Sequence, residues 1–272
     1  MALPEPGSRR LCLITGASAG IGAAFARLYA SRGYDLALTA RRGDRLVLIA
    51  GDVTRRYGIQ ALIIPADLAD SGAPDRILGH IAGHGRQVDA LVNNAGYGLA
   101  GPYADLDWAD QAAMLQVMLT APSALAHKLL PGMASRGFGR IVNVASLAGL
   151  MPGYPGHTLY GPIKAFLVKL SQALHVETRG TGVHVTALCP GLTYSEFHDV
   201  NHTRAELQRR APAWLWQGAD AVAAAGYAAV EANRPICVPG AVNQIIAALS
   251  RLLPDAWTMA LMATPPTGEP RA

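Results

Sequence analysis

The chain opens with an apolar run that leads directly into a glycine-rich turn and then into a helix-forming stretch. Residues 11–14 read Leu-Cys-Leu-Ile, and residues 15–22 read Thr-Gly-Ala-Ser-Ala-Gly-Ile-Gly before an alanine-rich stretch over residues 23–30. A strand, a glycine turn and a helix in that order are typical of the first unit of a parallel α/β sheet. In such a turn the N-terminus of the helix, the positive end of its dipole, is accessible to a ligand because the glycines have no side chains. The sequence therefore predicts a βα unit whose turn holds an anionic group, with a ligand-free turn as the alternative.

Short apolar runs alternate with longer helix-forming segments along the rest of the chain. The predicted strands cover residues 11–15, 35–39, 61–65, 90–93, 140–145, 183–188 and 235–238. This alternation predicts parallel βαβ units with helices on both faces of the sheet. We therefore predict one α/β domain over residues 1–272, a doubly wound parallel sheet with its core at residues 8–254. Residues 194–217 are predicted to form a substrate lid at the carboxyl edge of the sheet, and residues 263–272 a flexible tail.

Composition limits the classes of protein that this chain can represent. Of 272 residues, 51% are hydrophobic and 15% are charged, which suffices for a buried core and excludes an intrinsically disordered chain. The net charge is +4 and the basic residues are scattered, a mild bias toward anionic small molecules rather than nucleic acid. The apolar stretch at residues 241–262 is interrupted by Arg251, Pro254 and Asp255, so a membrane span is not predicted.

The cysteines and the N-terminus bear on the cellular compartment. Cys12, Cys189 and Cys237 form no C-x-x-C motif, and each lies in or beside an apolar run. Buried free thiols in a reducing compartment are the simplest interpretation. Residues 1–10 contain prolines and charges but no apolar signal core. We therefore expect a cytoplasmic protein.

The glycine turn and the end of the second predicted strand both indicate a dinucleotide. Gly16 permits the tight turn, and Gly20 and Gly22 let backbone and helix approach a pyrophosphate. NAD-binding folds usually place an acidic residue after the second strand, where this chain has Arg41 and Arg42. A guanidinium matches a 2′-phosphate in a bidentate manner, so NADP(H) is favoured over NAD(H). The alternative is that both arginines only solvate a loop.

A serine, a tyrosine and a lysine in the second half of the chain indicate acid–base chemistry. Tyr160 and Lys164 are four residues apart, so their side chains share one helix face, and Ser146 lies upstream. A lysine ammonium beside a tyrosine hydroxyl favours the phenolate and lowers the pKa of the phenol. Such a tyrosine suits a general acid or base near neutral pH. Together with the glycine turn, these residues predict a hydride-transfer enzyme that protonates or deprotonates a carbonyl or alcohol oxygen.

Five motifs occur in a fixed order along the chain. They are T-G-A-S-A-G-I-G at residues 15–22, N-N-A-G at 93–96, Ser146, Y-G-P-I-K at 160–164 and P-G-L-T at 190–193. With these motifs the chain resembles the short-chain dehydrogenase/reductases over residues 8–254. The resemblance implies a seven-stranded Rossmann-like sheet in the order 3-2-1-4-5-6-7, a nicotinamide cofactor and a homodimer or homotetramer. The Ala-Arg-Arg ending of the second strand resembles the NADP-preferring members.

The resemblance also implies roles for individual residues. Tyr160 is expected to exchange the proton with the substrate oxygen, Lys164 to lower the pKa of Tyr160 and hold the nicotinamide ribose, and Ser146 to hydrogen-bond the substrate oxygen. Thr193 is expected beside the nicotinamide carboxamide, and Asp67 either meets the adenine edge or caps the next helix. The predicted cofactor-binding residues are Gly16, Ser18, Ala19, Gly20, Ile21, Gly22, Arg41, Arg42, Asp67, Asn93, Ala95, Gly96, Tyr160, Lys164, Pro190, Gly191 and Thr193. No metal site is predicted.

One position departs from the family pattern. The long helical stretch at residues 108–134 normally carries an asparagine that anchors a water between the lysine and bulk solvent, and Met118 stands there. A thioether donates no hydrogen bond and accepts one only weakly. We therefore predict a slower or rerouted proton relay, unless Gln116 or Thr120 supplies the missing contact.

Pro162 lies inside the Tyr-Gly-Pro-Ile-Lys motif and constrains where the helix begins. Proline removes a backbone donor, which is harmless only in the first helical turn, where N–H groups have no partner within the helix. The helix is therefore predicted to begin close to Thr158 or Leu159.

Several other side chains have two interpretations each. His198 and His202 have a helical metal spacing but no accompanying carboxylate motif, so solvated lid histidines are favoured. His157 either touches substrate or packs locally. Trp214 and Trp216 either line a substrate pocket or anchor the lid to the body of the domain.

Three functional hypotheses follow. The first is an NADP(H)-dependent carbonyl reductase or alcohol dehydrogenase. A hydrophobic substrate is expected from the apolar residues Leu147, Leu150, Met151, Trp214 and Trp216. The second is a weakly catalytic or non-catalytic NADP(H)-binding sensor or scaffold, which Met118 makes conceivable and the intact serine, tyrosine and lysine oppose. The third is an epimerase or dehydratase, which would recycle the nicotinamide without net consumption of NADPH.

Overall fold

The computed structural model describes residues 9–153, 155–196, 212–254, 256–257 and 259. The strands are β1 (Leu11–Thr15), β2 (Asp35–Ala40), β3 (Ala61–Pro65), β4 (Val88–Asn93), β5 (Gly139–Val144), β6 (Val183–Leu188), β7 (Thr193–Tyr194), β8 (Gln217–Gly218) and β9 (Ile236–Cys237). The α-helices are α1 (Gly20–Ser31), α2 (Gly43–Tyr57), α3 (Ala73–Gly83), α4 (Trp108–Leu115), α5 (Ala121–Ser135), α6 (Tyr160–Glu177), α7 (Ala219–Glu231) and α8 (Ala241–Leu252). A π-helical turn, Gln116–Thr120, joins α4 to α5, and a 3₁₀ turn, Leu147–Leu150, follows β5.

Seven of the strands form one parallel sheet in the order β3-β2-β1-β4-β5-β6-β9. This confirms the predicted order, because β9 is the seventh strand of this sheet along the chain. The direction of winding reverses between β1 and β4, and a crevice at such a point is where open α/β sheets bind ligands. The sequence did not predict β7 and β8, which pair with each other in a separate two-stranded sheet at that edge.

The sheet is buried on both faces, which explains why its strands are apolar at nearly every position. Side chains of a strand alternate between faces, and in β1 Cys12 and Ile14 enter one core cluster while Leu11 and Leu13 enter the other. The first cluster lies under α1, α2 and α7, and the second under α3 to α6. A doubly wound sheet of this kind confirms the predicted α/β class.

Most predicted boundaries agree with the structure within two residues. Pro162 is the third residue of α6, which begins at Tyr160, one residue after the predicted start. All three cysteines are buried thiols outside any disulfide, as expected. None of the described helices combines the length and the apolar character that crossing a bilayer requires. Of the predicted lid only residues 194–196 and 212–217 are described, so His198 and His202 lie outside the described residues, as does the predicted tail at 263–272.

Candidate active site

The glycine turn forms a backbone cradle between β1 and α1. A Cβ atom added to Gly22 would lie 2.3 Å from the carbonyl oxygen of Gly16 and 2.6 Å from Asn94 Nδ2, so only glycine fits there. The helix begins at Gly20, and its N-cap, Ala19, provides no side-chain acceptor for the first backbone N–H groups. Uncapped N–H groups at the positive end of a helix favour a phosphate. The predicted residues Gly16 to Gly22 therefore fit the pyrophosphate of a dinucleotide.

The Asn-Asn-Ala-Gly loop after β4 holds this cradle in place. Thr15 Oγ1 accepts hydrogen bonds from the backbone N–H groups of Asn94 (2.9 Å) and Ala95 (3.0 Å). Asn94 Nδ2 donates back to the carbonyl oxygens of Thr15 (3.0 Å) and Gly16 (3.1 Å). Asn94, which belongs to the Asn-Asn-Ala-Gly motif, therefore braces the glycine turn with its side chain.

Asn93 points into the interior and joins the central strands to two helices. Its Nδ2 donates to Asn143 Oδ1 (2.9 Å) and to the carbonyl oxygen of Pro122 (3.2 Å). Asn143 Nδ2 in turn donates to Ser171 Oγ (2.9 Å), two helical turns beyond Lys164 on α6. Neither Asn143 nor Ser171 could be recognised from the sequence, because Asn143 looks like an isolated polar residue in an apolar strand and Ser171 like an ordinary polar residue of a helix.

Tyr160 and Lys164 meet the end of β5 at the first turns of α6. Lys164 is buried, and its Nζ donates to the carbonyl oxygen of Val144 at 2.8 Å. The same Nζ lies 5.5 Å from the centroid of the Tyr160 ring. The predicted pair is therefore brought together on one helix face, beside the carboxyl end of a central strand.

Ser146 is held against the same helix by the 3₁₀ turn that follows β5. Its Oγ accepts a hydrogen bond from the N–H of Ala148 at 3.2 Å, so its own hydroxyl proton is available to another acceptor. A Cβ on Gly149 would lie 2.5 Å from the carbonyl carbon of Lys164. Gly149, which the sequence analysis did not single out, thus lets the serine turn pack directly on the backbone of α6.

Burial lowers the pKa of Lys164 from its ordinary 10.5 to about 8. Between these two values the unfolded chain binds more protons than the folded one, so the free energy of unfolding rises as pH increases from 8 to 10.5. The expected rise approaches about 1.4 kcal/mol per pH unit for one fully shifted group. Lys164→Met should lack this contribution. Guanidinium unfolding of the wild type and of Lys164→Met, at pH values from 7.5 to 10, measures this difference in the free energy of unfolding. The same pH dependence in both proteins would contradict the lowered pKa of Lys164.

Met118 lies at the centre of the π-helical turn between α4 and α5. Its side chain is buried, and its Sδ accepts a hydrogen bond from the backbone N–H of Tyr97 at 3.5 Å. Its methyl carbon packs closely on Gly96. Single π-turns are frequent at functional sites. Met118 therefore lies beside the Asn-Asn-Ala-Gly loop, and its place at the family asparagine position stays a prediction.

A cavity of about 10 Å³ lies beside Met118. Its lining comprises Thr15, Leu68, Asn93, Ala95, Val117, Met118, Pro122, Val144 and Leu167. Within the described part of the chain, Asn93 Oδ1 is buried and accepts no hydrogen bond from protein. This volume matches a single water. Neither Gln116 nor Thr120 is among the lining residues, and Thr120 is exposed, so the structure does not favour them as substitutes for the family asparagine.

Behind the Pro-Gly-Leu-Thr loop lies a pair of amides that the sequence analysis missed. Pro190 is buried, and Thr193 Oγ1 donates to the carbonyl oxygen of Gly191 at 3.0 Å. A Cβ on Gly191 would lie 2.5 Å from Asn243 Oδ1. Asn243 Nδ2 donates to Gln217 Oε1 at 3.1 Å. The loop predicted to face the nicotinamide therefore rests on side chains from β8 and α8, which are distant in sequence.

Two arginines that follow β2 differ in their contacts. Arg41 is exposed and lies near Tyr97. Burial raises the pKa of Tyr97, and the positive charge of Arg41 offsets part of that rise. Arg42 donates to Ser18 Oγ at 3.0 Å and pairs with Glu196 at 2.8 Å. Arg45, in the first turn of α2, also pairs with Glu196. Of the two predicted arginines, Arg42 thus lies beside the glycine turn, where the adenosine end of a dinucleotide is expected, and Arg41 lies near Tyr97.

The remaining predicted residues, Asp67, His157, Trp214 and Trp216, have the following contacts. Asp67 is exposed and accepts a hydrogen bond from the N–H of Ala69 at 3.0 Å, and it does not cap α3, whose N-cap is Gly72. Trp216 is buried and stacks on Tyr194 with ring centroids 5.1 Å apart, which fits an anchor rather than a pocket wall. Trp214 is exposed. The carbonyl oxygen of His157 accepts a hydrogen bond from the backbone N–H of Tyr160. Among the described residues no group of histidine, cysteine and carboxylate side chains could hold a metal ion.

This chain is similar to known dehydrogenases and reductases in sequence and in fold. The family pattern described as short chain dehydrogenase matches residues 10–205. Sulfoacetaldehyde reductase 2 of Chromohalobacter salexigens is 38% identical over 189 residues, which are 69% of this chain and 74% of that protein. A short-chain dehydrogenase from Sphingobium yanoikuyae, solved in complex with NADPH, superposes with a TM-score of 0.79 at 27% identity, over 96% of this chain and 98% of that one.

A second solved structure shares the fold at lower identity. It is a short chain dehydrogenase/reductase from Burkholderia phymatum in complex with NAD, with a TM-score of 0.80 at 23% identity, over 98% of this chain and 100% of that one. The fold is therefore found with either nicotinamide cofactor. The family pattern matches residues 10–205, which are most of this chain, and a reductase relative is 38% identical. The chain therefore belongs to the short-chain dehydrogenase family.

Proposed function

We propose that this protein is an NADP(H)-dependent oxidoreductase that interconverts a carbonyl compound and an alcohol, with Tyr160 as the general acid or base. The observation that carries the proposal is the position of Lys164, whose Nζ is buried at the end of β5 and lies 5.5 Å from the Tyr160 ring centroid. The Ser146 turn packs on the same helix. Three groups suited to one proton transfer are therefore brought together at the first turns of α6.

Each of the three side chains has a distinct part in the proposed mechanism. Ser146 Oγ accepts from Ala148 N–H, so its proton can be donated to the substrate oxygen, which it would orient and polarise. Tyr160 would transfer the proton to that oxygen in reduction and remove it in oxidation. Lys164, anchored on Val144, would keep a positive charge beside the phenol. When bound, NADP(H) supplies or accepts the hydride.

The cofactor preference rests on the arginines after β2. Arg42 lies beside Ser18 of the glycine turn, and no carboxylate stands directly after β2, where NAD-binding folds usually have one. A guanidinium is suited to a 2′-phosphate. Gly16, Ser18, Ala19, Gly20, Ile21 and Gly22 would hold the pyrophosphate. Asn93, Ala95, Gly96, Pro190, Gly191 and Thr193 would form the nicotinamide side of the site, and Asp67 the adenine side.

The test of this function is NADPH oxidation against a panel of aldehydes and ketones, with NADH in parallel. The panel should span hydrophobic ketones, expected from the half-buried apolar residues Leu147, Leu150 and Met151, and sulfoacetaldehyde, the substrate named for the relative. We expect turnover with NADPH to exceed that with NADH by about 10-fold or more, since one charge-assisted phosphate contact contributes about 1.5–3 kcal/mol. Absence of turnover with every compound would contradict the proposal.

Met118→Asn is expected to raise kcat by up to about 10-fold while leaving NADPH affinity unchanged. An asparagine restores a donor at the cavity shared by Asn93 and Val144, the carbonyl that holds Lys164. Proton-transfer steps contribute about 10²–10⁴-fold to enzyme rates, so a partial defect leaves room for recovery. The matched control is Met118→Leu, which removes the thioether and adds no donor. Equal turnover of the asparagine and leucine variants would contradict a defective relay.

The other hypotheses make different predictions for the same assays. A sensor or scaffold, or a very slow enzyme, binds NADPH without measurable turnover in the wild type and gains turnover only in Met118→Asn, because Met118 is the residue that breaks the relay in this hypothesis. An epimerase or dehydratase converts substrate without net NADPH consumption. The cytoplasmic location, the homodimer or homotetramer and the substrate lid stay predictions of the sequence.

A further inference from the structure

Glu196, which follows β7 at the carboxyl edge of the sheet, forms ion pairs with two arginines that follow β2, Arg42 and Arg45. Glu196 Oε2 lies 2.8 Å from Arg42 Nη1, and its other carboxylate oxygen pairs with Arg45 Nη1. Arg42 also donates to Ser18 Oγ of the glycine turn. Two guanidinium groups thus converge on one anionic group, which the protein itself supplies, and one of them also contacts the glycine turn.

The backbone fixes the place of this carboxylate. Glu196 comes two residues after β7, which pairs with β8, and the Tyr194 ring of β7 stacks on buried Trp216. Ser195 packs on the glycine turn, where a Cβ added to Gly20 would lie 2.8 Å from Ser195 Cβ. Gly20 has a φ of +54°, so a side chain there would be strained as well as crowded. The absence of a side chain at Gly20 therefore allows the segment to reach the arginines.

The electrostatics of the contact favour an ionised carboxylate. Partial burial raises the pKa of Glu196, but hydrogen bonds from Arg45 and Arg42 outweigh it, and the pKa lies below its usual range. All three side chains are about 40% exposed, so solvent can reach the ion pairs and exchange is feasible. A carboxylate with two guanidinium partners has the charge and the acceptor geometry of a small phosphate.

We propose that Glu196 is an internal competitor of the 2′-phosphate of NADP(H), and that Arg45 is a second binding residue for that phosphate beside Arg42. This inference rests on the proposed use of NADP(H). The phosphate, with its greater negative charge, displaces the carboxylate from both arginines when the cofactor binds. Glu196 therefore lowers affinity for 2′-phosphorylated nucleotides and leaves affinity for their unphosphorylated counterparts unchanged, which makes it a determinant of cofactor specificity.

Calorimetric binding of nucleotide fragments tests the proposal without any catalytic step. The probes are adenosine 2′,5′-diphosphate, which carries the 2′-phosphate, and adenosine 5′-monophosphate, which lacks it. In Glu196→Gln the Kd for the diphosphate should fall about 5- to 10-fold at low ionic strength, the order expected when partly exposed ion pairs no longer compete. The Kd for the monophosphate should not change. In high salt the difference should shrink, because exposed charges are screened.

The matched control is Asp75→Asn, which removes the same charge from an exposed ion pair on α3. Asp75 pairs with Lys128 at 2.8 Å. Asp75→Asn should change neither Kd by more than about 2-fold, because Asp75 can act on the nucleotide only through a long-range electrostatic interaction that salt screens. Arg45→Met should weaken binding of the diphosphate only. In the double variant Arg45→Met/Glu196→Gln the gain from Glu196→Gln should be smaller than in the wild type, because residues that contact each other are not additive.

The outcomes separate this inference from the proposed function. If the wild type prefers the diphosphate and Glu196→Gln has the same Kd values, the competitor role is wrong and NADP(H) preference stands. If no variant prefers the diphosphate, both the competitor role and NADP(H) preference are wrong. An equal gain for both fragments, or the same gain in Asp75→Asn, would indicate a general charge effect and overturn the proposal. Failure to find a carbonyl substrate leaves the binding result intact.

Discussion

Tyr160→Phe is expected to reduce carbonyl turnover by about 10³-fold or more while NADPH binding stays within about 2-fold of the wild type. The change removes one hydroxyl oxygen and retains the ring, so packing of the first turn of α6 is preserved. General acid–base catalysis contributes about 10²–10⁴-fold, and a phenyl ring can neither give nor take a proton. Lys164 keeps its partner, the carbonyl oxygen of Val144, in the variant. The loss should therefore appear in kcat and not in cofactor affinity.

The measurement combines steady-state kinetics with the best substrate of the panel and fluorescence titration of NADPH. Tyr57→Phe is the matched control, since Tyr57 ends α2, away from β5 and α6, and loses the same atom. Its turnover should equal that of the wild type. Turnover of Tyr160→Phe above about a tenth of the wild-type rate would remove Tyr160 from the proton transfer.

Gly22→Ala is expected to destabilise the fold by about 3 kcal/mol and to weaken NADP⁺ binding by at least about 10-fold. The added methyl group would lie 2.3 Å from the carbonyl oxygen of Gly16 and 2.9 Å from its carbonyl carbon. Both are backbone atoms, so the strand end or the start of α1 must move. Overpacking of this kind costs about 1–3 kcal/mol or more. Because the same N–H groups form the phosphate cradle, the movement should lower affinity as well as stability.

Gly79→Ala provides the matched control for this effect. Gly79 lies within α3, is exposed, and a Cβ there would have no neighbour within 4 Å. Alanine in a helix interior is favoured over glycine by about 1 kcal/mol, so this variant should be slightly more stable and bind NADP⁺ normally. Denaturant unfolding and calorimetry of the two variants measure both effects. A Gly22→Ala protein with wild-type stability would show that the turn is looser than the contact with Gly16 implies.

The local parts of the active site could be predicted from the sequence because their chemistry is adjacent along the chain. Tyr160 and Lys164 meet because helical spacing places residues four apart on one face. Gly16, Gly20 and Gly22 lie in one turn, and their need for bare backbone is intrinsic to the strand–turn–helix path. Pro162 located the start of α6 to within one residue, since proline is tolerated only in a first turn. In each case the physical constraint acts within a few residues.

The supporting residues could not be predicted, because their partners are distant in sequence. Asn143 appears in the sequence as one polar residue in an apolar strand, yet it connects Asn93 to Ser171. Asn243 supports Gly191, and Gly149 packs on the backbone of Lys164. Sequence periodicity says that a strand end or helix end exists, but not which other ends lie beside it.

The sequence by itself determined the class of fold, the strand order through its family resemblance, and the residues that meet within single turns. Burial on both faces demands apolar strands, and phosphate cradles and helical pairs have short local signatures. Only the tertiary structure decided that Glu196 pairs with Arg42 and Arg45. Arg42 and Glu196 are 154 positions apart in the sequence, yet they meet at the edge of one sheet. Such contacts depend on where β2, β6 and β7 end in space, which side-chain packing of the whole domain fixes and no local pattern encodes.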